Sequence, residues 1–180
     1  MINLPSADYD IIRENIRKII IESLNINQNN IRNAASMYGS NLTKLTSIFE
    51  SMSYNRDETF MVYELLESKI DNTYVIKEID GSSTSVQDYD YNIKIYGENS
   101  HNMVQKIMCL FKEPDIILLL RKFGVRIIGI PQPDTTHELI NNVFWTRCDI
   151  TIKLQILYNF KFKEPEIIPE QEINFKIKIK

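Results

Sequence analysis

Five glycines, two histidines and two cysteines are all that the 180 residues contain, which leaves little material for a ready-made reactive centre. No glycine stands in a phosphate-cradling loop. Asp80-Gly81-Ser82-Ser83 is followed by neither a helix start nor a Lys-Ser/Thr pair, so it reads as turn chemistry. His101 and His137 lie far apart and outside any nucleophile-bearing motif, which points to surface or capping roles. No Cys/His spacing matches a zinc site. Cys109 and Cys148 sit in apolar stretches and are expected to be buried free thiols. Glu64 and Glu67 could pose as an acid–base pair, but a three-residue offset on a strand sends them to opposite faces. The expectation is therefore no catalytic, cofactor-binding or metal residue, and no enzyme.

Two further features are missing. No apolar run approaches the roughly 20 residues that span a bilayer. Met1 is followed by Pro5, Asp8 and Asp10 rather than by a basic, apolar leader, so synthesis and residence in the cytosol are expected. There is also no excess of positive charge. The formal net charge of -3 argues against a general nucleic-acid binder. The charge is uneven: residues 1–90 hold 8 Lys and Arg against 14 Asp and Glu, and residues 91–180 hold 13 against 10.

What is present in quantity is aliphatic side chain in period-2 order. From Cys148 to Phe162, Ile150, Ile152, Leu154, Ile156, Tyr158, Phe160 and Phe162 alternate with Thr151, Lys153, Gln155, Leu157, Asn159 and Lys161. That pattern, with one break at Leu157, marks a strand with one buried and one wet face. At about a dozen residues it exceeds the usual five or six, so it is expected to be central to a sheet or to reach past its own subunit.

Ser6 is placed to cap a helix whose core face is Ile12, Ile16, Ile19, Ile20 and Leu24. Residues 25–58 are rich in Asn, Ser and Thr and read as a long loop region. Strand signals return at Thr59–Leu66 and Thr73–Ile79, read as a hairpin about Asp71-Asn72. Tyr91, Ile93 and Ile95 alternate with Asn92, Lys94 and Tyr96 up to Gly97. Ser100 reads as the cap of a helix carrying Met103, Val104, Ile107, Met108 and Phe111. Pro114 opens a second helix, apolar on most sides from Ile116 to Leu120, which is expected to be buried on two sides, within one fold or between subunits. Gly124 is its expected C-terminal cap, with a short strand Val125–Ile130 after it. Past Phe162 an acidic, proline-punctuated linker leads to Ile173, Phe175, Ile177 and Ile179, alternating with Asn174, Lys176, Lys178 and Lys180. Such a terminal strand is suited to joining a sheet edge, its own or a neighbour's.

One α+β domain is expected over residues 1–162, with a helix in 1–24, the loop region in 25–58 and a mostly antiparallel sheet of about four to five strands against helices. Residues 163–180 form the linker and arm. Taken in order, the Tyr-Asn-Ile-Lys-Ile-Tyr-Gly segment (91–97), the helix pair and the Trp145-x-Arg147-x-Asp149 entry into an alternating strand resemble the phage tail terminator (neck terminator, or tail completion) proteins. The likeness covers roughly residues 59–160. It implies a structural ring, usually hexameric, that caps the tail tube, ends its polymerisation and meets the head connector. It implies as partners copies of the chain, tail tube protein, connector or neck proteins and DNA in transit, with no membrane and no cofactor. The implied location is the host cytoplasm during assembly, then the virion tail or neck. Ile117, Leu118, Ile173, Phe175, Ile177 and Ile179 are the expected subunit-interface residues, and Trp145, Arg147 and Asp149 an ion pair beside a packed indole. The alternatives are another neck or tail component, such as a head-completion or tube-joining subunit, and a small cytosolic enzyme.

Overall fold

A computed structural model describes the protein over residues 9–34, 59–67, 74–77, 82–140 and 142–161. In chain order these form helix α1 (Tyr9–Leu24), a one-turn 3-10 helix (Gln28–Asn30) and strands β1 (Ile31–Asn33), β2 (Phe60–Glu67), β3 (Tyr74–Lys77) and β4 (Ser82–Tyr96). Helices α2 (Ser100–Leu110) and α3 (Pro114–Lys122) follow, then β5 (Val125–Gly129), β6 (Asp134–Ile140) and β7 (Val143–Lys161). All seven strands belong to one sheet, antiparallel except where β1 runs parallel to β2. The fold is α+β, as the alternating patterns imply.

Two strands are much longer than the rest. β4 and β7 pair without interruption from Ser82↔Lys161 to Tyr96↔Arg147. Each carries a broken strand on its outer side. β2 and β3 lie end to end along β4, opposite residues 89–96 and 83–86. β5 and β6 lie end to end along β7, opposite residues 153–156 and 143–149. The expected hairpin between Thr59–Leu66 and Thr73–Ile79 is therefore corrected. These segments do not pair with each other; β3 makes its hairpin with β4, because β4 is long enough to serve both.

Alternation decides what faces what. On one side of the sheet, transverse rows run Met61–Ile95–Cys148, Tyr63–Ile93–Ile150 and Leu65–Tyr91–Ile152. All of these are buried, and α1 and α2 cover them through Ile12, Ile16, Ile20, Val104 and Ile107. Burying each large aliphatic side chain is worth about 1.5–3 kcal/mol, so this face supplies most of the driving force. Two residues the sequence marked as core, Ile152 and Ile156, are fully buried there. Arg17 fastens α1 to the turn that follows it, donating to the carbonyl oxygens of Gln28 at 3.1 Å and Ile31 at 3.4 Å. The hydroxyl of Tyr63 donates to Glu14 Oε1 at 2.7 Å, and its ring stacks on Tyr91 at 5.8 Å. Burial and the Glu14 contact both push the Tyr63 pKa above its ordinary value.

Several expectations change. β1 lies within residues 25–58, read as loop, and β6 was not foreseen; with them the sheet has seven strands among the described residues. Cys109 is exposed on α2, while Cys148 is buried as expected, its Sγ 3.5 Å from Ser100 Oγ. Asn99, not Ser100, is the N-cap of α2; Ser100 is the first helical residue and is wholly buried. In α3 only Leu120 is fully buried and Leu118 is 54% exposed, so this helix is not sealed on two sides within the subunit. Ser6, the linker and the terminal arm lie outside the described residues.

Gly124 makes the return from α3 into the sheet. Its φ of +73° lies in the left-handed region, and its carbonyl oxygen accepts from the Leu157 N–H at 3.0 Å. A Cβ there would meet the Leu157 carbonyl oxygen at 3.5 Å, whereas one on Gly129 would meet nothing within 4 Å. Gly124→Ala is expected to lower stability by about 1 kcal/mol or more, and Gly129→Ala to leave it unchanged or slightly raised. Urea titration of both variants checks this; equal loss in the two would contradict it.

Candidate functional site

The sheet face away from the helices is narrower in apolar content and richer in charge. Phe60, Val62, Tyr96 and Trp145 form a small second core with Ala34, flanked by Ile140 and Val143. Trp145, Arg147 and Asp149 all project to this face at the start of β7. Arg147 Nη1 donates to Glu138 Oε2 at 2.7 Å, and Nη2 donates to Asp149 Oδ2 at 3.0 Å. The Tyr96 hydroxyl donates to the same Glu138 oxygen at 3.3 Å. Burial works against the Arg147 charge, but the two carboxylates outweigh it and hold the guanidinium more firmly protonated than usual. The Tyr96 pKa is raised, first by burial and then by the charge of Glu138.

Glu138 is the member of this group that sequence reasoning missed. It sits on β6, directly across from Trp145 in a hairpin whose register is set by a two-residue turn. Asn142 takes φ +61° in that turn. The signal was the Asn141-Asn142 pair, a turn type that favours positive φ and fixes which residues face each other.

The arrangement clamps β6 to β7 and to β4. Arg147 and Tyr96 direct donors at Glu138 across strands, and Arg147 directs a second at Asp149 on its own strand. His101 and His137 are both exposed on separate elements. Among the described residues, no group of three or more His, Cys, Asp or Glu could hold a metal ion. None of their helices is long and apolar enough to cross a membrane.

More informative are the apolar groups left uncovered. The β6–β7 hairpin runs past the end of β4, and near its tip the cross-strand pair Leu139 and Phe144 is 56% and 71% exposed. At another place on the same side of β7, Leu118 of α3 and Ile128 of β5 are also exposed. Ile117 lies beside them, half-buried in a groove of about 400 Å³ between α3 and β5. Of the interface residues expected from sequence, Ile117 lines this groove, and Leu118 is exposed on the same helix outside it. Ile173, Phe175, Ile177 and Ile179 lie outside the described residues.

A subunit with a clamped sheet and separate exposed apolar surfaces is built like a component of an assembly. A family model for phage neck terminator proteins matches residues 37–179. The chain belongs to that family. No curated protein matches it. Membership gives this neck terminator a structural role in the phage tail and neck, with other tail and head components as partners. The match extends through the acidic linker and nearly to the end of the terminal arm; α1 and β1 precede it.

Removing the Arg147 side chain leaves Glu138 and Asp149 facing each other without a cation. Arg147→Ala in the neck terminator is expected to cost about 1–3 kcal/mol. Arg147→Lys should recover less than half, because one ammonium cannot reproduce the two-sided fork. Thermal unfolding at neutral pH measures both; loss of under about 0.5 kcal/mol in Arg147→Ala would show the clamp to be incidental.

Proposed function

We propose that this neck terminator closes into a homo-oligomeric ring, a hexamer, that caps the tail tube and ends its polymerisation. The same ring joins the tail to the head connector and leaves a channel for DNA. The observation that carries this reading is the presence of two different uncovered apolar surfaces on one subunit. One is the tip pair Leu139 and Phe144; the other is the α3–β5 surface with Ile117, Leu118 and Ile128.

A two-fold dimer needs one self-complementary patch, whereas head-to-tail closure needs two unlike ones. The Ile173, Phe175, Ile177 and Ile179 side of the arm adds a third adhesive element, suited to pairing along a neighbour's sheet edge. A net charge of -3 favours DNA passage over DNA retention, since a wall without excess Lys and Arg gains little from counterion release. With this division of labour the terminator acts by binding, and no chemical step is assigned to it.

Light scattering of the purified chain, alone and with tail tubes, tests the ring. A mass six times the 21.2 kDa subunit is expected, with rings visible by electron microscopy. Phe144→Asp and Leu118→Asp should each give folded subunits that no longer assemble, because both positions are exposed in the subunit. Deleting residues 170–180 should leave the fold intact and weaken assembly. A chain that stays monomeric even on tail tubes would overturn the proposal. A ring that forms but lets tubes grow on would instead favour a tube-joining or head-completion role.

A further inference from the structure

The groove between α3 and β5 is apolar within and basic at its rim. Ile117, Ile127 and Ile130 supply its walls. Lys112, Arg121 and Arg126 stand exposed around it, and no carboxylate lines it. None of these three cations makes an ion pair among the described residues. β5 is an end strand of the sheet, and a bulge at Ile128 interrupts its register with β7. A bulged edge offers no regular ladder to an incoming strand, so side chains must carry whatever contact is made there.

The tip of the β6–β7 hairpin has the opposite character. Phe144, at 71%, is the most exposed large apolar side chain among the described residues, and Leu139 lies directly across from it. Buried aromatic anchors seated in pockets dominate the energetics of interfaces between proteins. The charge also differs in sign: residues 127–146 contain Asp134 and Glu138 and no Lys or Arg. The Glu138 side chain is 41% exposed, and both of its hydrogen bonds fall on Oε2. Alternation sends Leu139 and Phe144 to one side of the ribbon and Glu138 to the other. A ribbon laid in the groove thus turns its apolar pair to the walls and its carboxylate outward to the rim.

Within one subunit the two surfaces are held apart. Gly129 at the groove pairs with Lys153 of β7, and Leu139 at the tip pairs with Phe144. The nine residues from Phe144 to Lys153 advance about 30 Å along the strand. β7 is paired with β6 over residues 143–149 and with β4 over residues 147–153, so this stretch cannot fold back. The tip that enters a groove therefore comes from a second copy of the chain. Two unlike surfaces fixed at a distance are what head-to-tail association uses.

We propose, on the footing of the ring reading, that the β6–β7 tip of each subunit seats in the α3–β5 groove of the next. Phe144 is the anchor, with Leu139 beside it against Ile117, Ile127 and Ile130. Lys112, Arg121 and Arg126 of the receiving subunit face the carboxylate of Glu138.

Complementation between two variants of the full chain tests this pairing. Phe144→Asp loses the tip and keeps the groove, whereas Ile128→Asp spoils the groove and keeps the tip. Both positions are exposed, and circular dichroism checks that each variant folds. Each alone is expected to be monomeric by light scattering. Mixed in equal amounts, they are expected to form a heterodimer of twice the 21.2 kDa subunit mass and to stop there. One intact tip then occupies one intact groove, and no second such set remains. Adding Arg121→Glu and Arg126→Glu to the Phe144→Asp chain should weaken the heterodimer roughly tenfold. A ring formed by either variant alone, a mixture that stays monomeric, or a heterodimer indifferent to the charge reversal would each overturn the pairing. Where the unaltered chain forms rings in the same measurement, these results strike the pairing alone. An unaltered chain that stays monomeric even on tail tubes overturns the ring and the pairing with it.

Discussion

The fifteen-pair antiparallel ladder between β4 and β7 is the constraint from which the rest of the subunit follows. Beyond the part that the helices cover, its two ends differ: Leu139 and Phe144 are exposed at the β6–β7 tip, while Thr84, Ser85 and Val86 toward the other end are buried. In the middle, residues 89–95 of β4 and 148–156 of β7 hide one side beneath α1 and α2. At the ends the same strands continue as ribbon, toward the β3–β4 hairpin in one direction and the β6–β7 hairpin in the other. Because side chains alternate across a strand, one register serves both faces. A slip by one residue would put Ile150, Ile152 and Leu154 into water and Lys153 and Gln155 under the helices. The Arg147 clamp to Glu138 and Asp149 sits at the end of the ladder, where β4 stops and register would be easiest to lose.

The outer strands repeat this logic. Each central strand is flanked by two short segments and not by one long one, so the sheet has several short margins in place of two straight ones. Short or bulged edges resist indiscriminate strand addition, which a protein destined to assemble in one geometry must avoid. Among the described residues the large apolar groups left at the surface fall in several places: Leu118 and Ile128 on α3 and β5, Leu139 and Phe144 at the hairpin tip, Ile11 on α1 and Leu66 on β2.

Where the sequence was readable, one physical rule acted alone. β7 from Cys148 onward and the last part of β4 were legible because a buried face forces alternation there, whereas Ser82 and Ser83, read as turn, open β4 instead. The helix pair was legible because Gly97, Pro114 and Gly124 punctuate it. β6 was not, since Asp134, Thr135, Thr136 and His137 are all exposed and no burial imposes a period. β1, at three residues, is too short to show one. The pairing of β2 with β3 was misjudged because nearness in sequence favours a hairpin, while the length of β4 allows both to share its edge. Cys109 was placed inside from its apolar neighbours, but it falls on the outer side of α2. Of the site, Trp145, Arg147 and Asp149 could be seen together from their spacing. Glu138 required the hairpin register, which only the Asn141-Asn142 turn encodes.

Amide hydrogen exchange, compared between the dilute subunit and the assembled form, tests most directly the division into a sealed centre and adhesive margins. The account predicts that amides of residues 89–95 and 148–156 exchange slowest in both states, at the rate of global unfolding. It also predicts that α3, β5 and the β6–β7 tip gain protection only on assembly. Equal protection of those margins in the lone subunit, or a β4–β7 ladder that opens before them, would contradict it.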